Sequence, residues 1–173
     1  MASRAAAWRL LDRALNVAIV LASSVVVLFA IVERTGPAKS NPSTISVNQQ
    51  IGGVTPGIEY ATSKATLLVL LNSSCRYCTE SLPVIRGIAE GPCRLVAGVR
   101  CLAVGVEDFS VLRAYLKANA VRIEAAQLPA NDWTHTTPRM VIVDQGGVVR
   151  REWLGRLDAA QGAQIVEALE RVH

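Results

Sequence analysis

Residues 14–32 form a run of 19 positions without a charge, including VAIVLASSVVVLFAIV. A helix rising about 1.5 Å per residue carries such a run across about 30 Å of hydrocarbon, so the pattern predicts one transmembrane helix. The next stretch, with Gly36, Pro37, Asn41 and Pro42 and no apolar periodicity, reads as a linker. Beyond it the pattern becomes that of a folded domain. Residues 65–71 (ATLLVLL) are continuously apolar and stop at Asn72-Ser73-Ser74, as expected of a central strand buried on both faces. Leu82, Ile85 and Ala89 then recur at helical spacing until Gly91-Pro92. Residues 100–106 (RCLAVGV) predict a strand, and residues 109–117 a helix with Phe109, Leu112 and Leu116 on its buried face. Residues 139–143 and 148–153 predict two strands of a hairpin around the turn Asp144-Gln145-Gly146-Gly147. Asp158, with Gln161 three positions on, predicts the capped start of a last helix whose apolar face is Ile165, Val166, Leu169 and Val172. Helices alternating with strands, then a hairpin and a terminal helix, indicate an α/β fold with a mixed sheet flanked by helices.

The expected organisation is an N-terminal cytoplasmic tail (1–13), a transmembrane anchor (14–32), a linker (33–48) and a folded domain (49–173). A cleaved signal peptide is the competing reading of the apolar run, but its core is usually about 7–15 residues and ends in a small-x-small site. Here Glu33-Arg34 follows instead. Arg4, Arg9 and Arg13 precede the run while Arg34 and Lys39 follow it, a bias for a cytoplasmic N-terminus and a domain outside the cytoplasm, periplasmic or extracellular. The net charge of +4 belongs mostly to these flanks. From Ser40 onward, 13 basic residues meet 12 acidic ones, which argues against a nucleic-acid surface. Hydrophobic residues at 51% and charged residues at 18% exclude a disordered chain.

The candidate chemistry lies where the central strand turns into a helix, at Cys75-Arg76-Tyr77-Cys78. Two cysteines two residues apart at a helix start can close and reopen a disulfide with little backbone movement. The free N–H groups and helix dipole favour a thiolate on Cys75, and Arg76 is a candidate source of further positive charge. Cys75 is the expected nucleophile and Cys78, one turn on and more buried, the resolving thiol. Zinc is the alternative, with Cys93 and Cys101 as third and fourth ligands. Their spacing does not match a tight zinc knuckle, however, and no histidine cluster accompanies them. No cofactor and no metal are therefore expected. A purely structural disulfide would be a strained link at this spacing.

The stretch LLVLLNSSCRYCTESLP resembles the active-site region of the thioredoxin superfamily, with Pro83 five residues after the second cysteine. The stretch Thr136-Thr137-Pro138-Arg139-Met140-Val141-Ile142-Val143-Asp144 is similar to that family's cis-proline loop and following strand. The resemblance covers residues 65–172 and, with the anchor, is strongest to the membrane-tethered TlpA/ResA-like branch. It implies a thioredoxin-like domain that exchanges thiols and disulfides on protein substrates outside the cytoplasm, as a reductant sooner than an oxidant, in some members during cytochrome c maturation. It also implies a membrane redox partner, a monomer, a cis Pro138 beside Cys75, and a Thr137 backbone that pairs with an extended substrate. A cis bond is found at about 5% of X-Pro positions; an ordinary trans proline opening a strand is the alternative. Two departures bear on proton transfer. Ser81 stands where the branch often has an acid, with Glu80 one position earlier and about 100° round the helix, and Val69 stands where thioredoxin has a buried acid. Tyr77 and Arg76, between the cysteines, are the expected tuning residues, with Glu80 a weaker one.

Cys93 and Cys101 either pair or remain free thiols, and both readings stay open. His135, three residues before Pro138, is more readily a solvent-facing loop histidine than a partner of Cys75. Trp133 is a candidate lining of the cleft, and Trp153 is expected on the sheet. Arg113 and Lys117 read as solvated. Gly52-Gly53 lacks the partners of a phosphate loop. A peroxiredoxin-like peroxidase would need proline and Thr/Ser where Leu68 and Asn72 stand. A tethered metal-binding or interaction module is the non-enzymatic alternative.

Overall fold

The computed structural model describes residues 46–131 and 133–171. The expected tail, the anchor and the linker up to residue 45 lie outside these, as do Val172 and His173. Among the described residues no helix is long and apolar enough to cross a membrane.

Five strands make one sheet in the order β3-β2-β1-β4-β5. β1 (Ala65–Leu70) is central and entirely buried. It runs parallel to β2 (Val99–Gly105) and antiparallel to β4 (Arg139–Asp144). β4 pairs antiparallel with β5 (Val149–Leu154), and β2 pairs parallel with β3 (Glu124–Gln127). The hairpin is the expected one. Asp144 Oδ1 accepts from the N–H groups of Gly146 and Val148 at 2.9 Å, and Gly147 takes the positive φ of 75° that the turn requires. β3 escaped the sequence reading because EAAQ is short, polar at both ends and without periodicity, and gains its order only by pairing with β2.

Alternation along β1 sends Ala65, Leu67 and Val69 to one face and Thr66, Leu68 and Leu70 to the other. The first face is covered by helices: α1 (Arg76–Glu90), the short α2 (Pro92–Leu95), α3 (Phe109–Ala118) and α4 (Ala159–Glu170). Leu82, Ile85, Leu112, Leu116, Ile165 and Leu169 converge there with Trp153, as their spacing predicted. Each such burial is worth about 1.5–3 kcal/mol. Phe109 departs from expectation. It is the first residue of α3 and 40% exposed, with the Arg113 guanidinium 5.5 Å from its ring centroid. Gly91 ends α1 and Pro92 at once starts α2, where its missing N–H costs nothing. The Asp158–Gln161 capping box forms as expected.

The second face has no helix over it among the described residues. Ile51, Tyr60, Leu128 and Trp133 from two irregular segments close it. The first segment is fastened by Ile51 N–H to Gly147 O (2.9 Å), Tyr60 Oη–H to Thr55 Oγ1 (2.7 Å) and Thr55 Oγ1–H to Ile51 O (2.9 Å). Asn48 N–H bonds to Val149 O at 2.7 Å and ties the start of this segment to β5.

Candidate active site

β1 ends against β2 and β4, and the chain leaves it through Asn72-Ser73-Ser74 before α1 begins. Cys75 is the N-cap of α1, in extended backbone, and its Sγ accepts from Cys78 N–H at 3.3 Å. That arrangement takes a backbone donor which would otherwise have no partner in the helix and gives it to sulfur. Cys75 is partly buried, Cys78 completely buried, and both are free thiols. Burial pushes the Cys75 thiol up, but hydrogen bonds from the Cys78 thiol, the Thr137 side chain and the Cys78 and Tyr77 N–H groups outweigh it. The result lies below the ordinary thiol range. Burial, then the Cys75 sulfur, pushes Cys78 up to about 12. One sulfur is thus prepared to be a thiolate and its neighbour to stay a thiol.

The loop before β4 closes the site from the opposite side. The Cys75 thiol meets Thr137 O at 3.5 Å, and the Thr137–Pro138 bond is cis, so the resemblance's expectation for Pro138 matches the geometry. Gly155 N–H donates to Pro138 O at 2.9 Å and ties the loop to the end of β5. Tyr77 is 57% exposed beside the cysteines. His135 is exposed, as expected. Trp133 is not a cleft residue: it is wholly buried in the core of the second face, where the Arg139 guanidinium lies 5.7 Å from its ring centroid.

Of the expected tuning residues, Tyr77 lies beside the cysteines, while Arg76 and Glu80 face each other on the helix surface. Arg76, 87% exposed at its side chain, turns outward to Glu80, Nε to Oε1 at 2.8 Å. Glu80 also faces Arg156 at 3.7 Å, so its carboxylate is occupied on the helix surface. Ser81, in the position where an acid was sought, is buried and structural. Its hydroxyl donates to Tyr77 O at 2.7 Å and accepts from Leu157 N–H at 2.9 Å, pinning the approach to α4 onto α1. Val69 is core.

Two neighbours were missed. Glu107, just past β2, accepts from Ser73 N–H at 3.0 Å and Ser73 Oγ–H at 2.5 Å. Tyr115, on α3, places its hydroxyl 3.3 Å from Thr79 Oγ1. Their partners are 34 and 36 residues away, and nothing local in the sequence marks them. Cys93 and Cys101 are joined as a disulfide, which settles their pairing and removes two thiols from the zinc set once considered.

No protein-family model matches the sequence, and no curated protein matches it. Solved structures do match the fold. A protein assigned as a protein disulfide isomerase from Bacteroides thetaiotaomicron aligns at TM-score 0.57 and 16% identity over 74% of this chain and 92% of its own. A thiol-disulfide isomerase from Corynebacterium glutamicum aligns at 0.51 and 14%, over 76% and 97%. A thiol:disulfide interchange protein of the thioredoxin family from Chlorobium tepidum aligns at 0.50 and 15%, over 64% and 82%. At these identities the likeness is one of fold, and that fold is thioredoxin-like.

Proposed function

We propose that this protein is a thiol-disulfide oxidoreductase acting on protein substrates through Cys75 and Cys78, tethered by residues 14–32 with its domain outside the cytoplasm. The observation that carries the reading is the pair itself: a part-exposed Cys75 thiol held below its ordinary range, beside a buried Cys78 held at about 12, both facing a cis-Pro138 loop. The Cys75 thiolate attacks one sulfur of a substrate disulfide, forming the mixed disulfide and releasing the other sulfur as a thiolate that takes up a proton. Cys78 then loses its proton and attacks Cys75 Sγ. The second substrate thiol leaves, and the two electrons have passed from the Cys75–Cys78 dithiol to the substrate. A membrane redox partner would restore the dithiol. An extended substrate segment fits beside Thr137, whose carbonyl already lies at the reactive sulfur.

The Cys93–Cys101 disulfide supports an oxidising compartment, where such bonds persist. The charge arrangement supports reduction as the direction. Arg76 is turned away to Glu80, so the Cys75 thiolate is held by hydrogen bonds without an added cation, and a thiolate without that extra stabilisation leaves a more reducing dithiol.

Cys75→Ser should abolish disulfide reduction, by at least about a thousandfold, while Cys78→Ser should accumulate mixed disulfides that gel electrophoresis without reductant resolves. Retained activity in both variants would overturn the assignment. A reduction potential well above about −200 mV would reverse the direction.

A further inference from the structure

β1 and β2 are parallel neighbours in register from Ala65↔Val99 to Leu70↔Val104, so they end side by side. Whatever follows β2 falls against the loop that follows β1. The residue that arrives there is Glu107. Its two carboxylate oxygens share the Ser73 N–H at 3.0 and 3.2 Å, and Oε2 accepts the Ser73 hydroxyl at 2.5 Å. Ser73 stands two residues before the reactive cysteine, in the loop whose Asn72 carbonyl accepts Cys75 N–H at 3.0 Å. A part-buried carboxylate is therefore fixed, by three contacts, beside the N-terminus of the helix that presents Cys75.

The same neighbourhood contains both sulfurs. The Tyr115 phenol, bonded to Thr79 next to Cys78, is held up by burial first. The Thr79 hydrogen bond opposes this, and Cys78, Cys75 and Glu107 add smaller upward contributions by charge. Arg76, between the cysteines in sequence, faces Glu80, which also faces Arg156. The two positions where the resemblance implies an acid hold Val69, in the core, and Ser81, engaged by Leu157. Glu107 is the carboxylate that the tertiary structure sets against the loop carrying Cys75.

We propose that Glu107 is the redox-tuning carboxylate of this centre, its charge opposing the thiolate at Cys75 and so making the Cys75–Cys78 dithiol more reducing. The proposal rests on the exchange function assigned above. It concerns a residue that acts through the field and through Ser73, not one that touches the reacting atoms. The helix N-terminus favours an anion. A carboxylate already placed there lessens what remains for sulfur.

Glu107→Gln separates charge from scaffolding. The amide oxygen can still accept Ser73 N–H and the amide N–H can donate to Ser73 Oγ, so the loop keeps its contacts. In the reduced protein, purified with its N-terminal segment, the thiolate absorbance of Cys75 is followed against pH, and the reduction potential is measured against a glutathione couple. Glu107→Gln should move the Cys75 midpoint down by about half a pH unit or more and raise the potential. Glu107→Ala, which also frees the loop, should move both in the same direction. A Glu107→Gln profile that superimposes on the native one overturns the proposal, even if Glu107→Ala shifts, because only scaffolding would then be at work. The thiol titration needs no substrate. Loss of the functional reading would instead show as a native protein that titrates as described but reduces no disulfide.

Discussion

The two faces of the sheet are built by opposite means. One is closed by helices, and its buried hydroxyl at Ser81 is satisfied as both donor and acceptor. The other is closed by irregular chain. It holds every buried side-chain polar atom that lacks a hydrogen-bond partner among the described residues: Thr66 Oγ1, Trp133 Nε1, Arg139 Nε and NH1, and Glu152 Oε1. Arg139, only 4% exposed, lies 3.2 Å from Glu152, close enough for ionic contact but not aligned as a hydrogen bond. Cys75 and Cys78 sit on the helical face, where cap, dipole and packing agree. The loop-closed face holds its elements together with a buried ion pair and leaves polar atoms unpaid in hydrogen bonds. The cysteine pair thus lies on the face where, among the described residues, no buried side-chain polar atom lacks a partner.

Four substitutions test this contrast through urea denaturation of the whole chain. The largest effect is expected at Arg139→Met, which leaves Glu152 buried without its counter-charge. The expected loss is about 3 kcal/mol, the lower end for a broken buried pair because the Glu152 side chain keeps 21% exposure. Adding Glu152→Leu should recover most of that loss; failure to recover would mean that Arg139 contributes by packing on Trp133, not by pairing. The pH dependence has a definite sign. Burial raises the Glu152 carboxyl above its ordinary value, and Arg139 opposes this. The folded state therefore holds the proton more tightly than the unfolded state, and stability falls as pH rises from the ordinary carboxyl value through the folded one. Without Arg139 the folded value rises further, so Arg139→Met should be hurt less at pH 5 than at pH 7.

The next two changes remove a buried hydroxyl from each face. Ser81→Ala strands the Leu157 N–H and should cost about 1–3 kcal/mol. Thr66→Val removes a hydroxyl that has no partner while keeping the shape, and should be neutral or stabilising by up to about 1 kcal/mol. Equal losses at both sites would erase the distinction between the faces.

Much of the helical face was legible in the chain because its signals are local and agree. The apolar run became β1, the spacing of Leu82, Ile85 and Ala89 became the buried side of α1, and Asp158 with Gln161 became a capping box. The cysteine pair and Pro138 were legible as motifs. The loop-closed face was not. Trp133 was read toward the cleft because nothing in its neighbours distinguishes a loop tryptophan that lines a groove from one that caps a core. Phe109 fits the helical periodicity yet stays 40% exposed, because periodicity does not report how far the packed surface reaches at the first turn of a helix.

The amino-acid sequence alone determined most of the elements and the candidate pair, because strand patterning, helix capping and a C-x-x-C spacing act over a few residues. Only the tertiary structure decided what surrounds that pair. It turned Arg76 outward to Glu80, made Ser81 a structural bond, joined Cys93 to Cys101 and brought Glu107 to Ser73. The Ser81, Cys93 and Glu107 contacts depend on which strand ends and helix faces meet. The parallel pairing of β1 with β2 sets a carboxylate beside a loop 34 residues away, and no local pattern encodes that meeting.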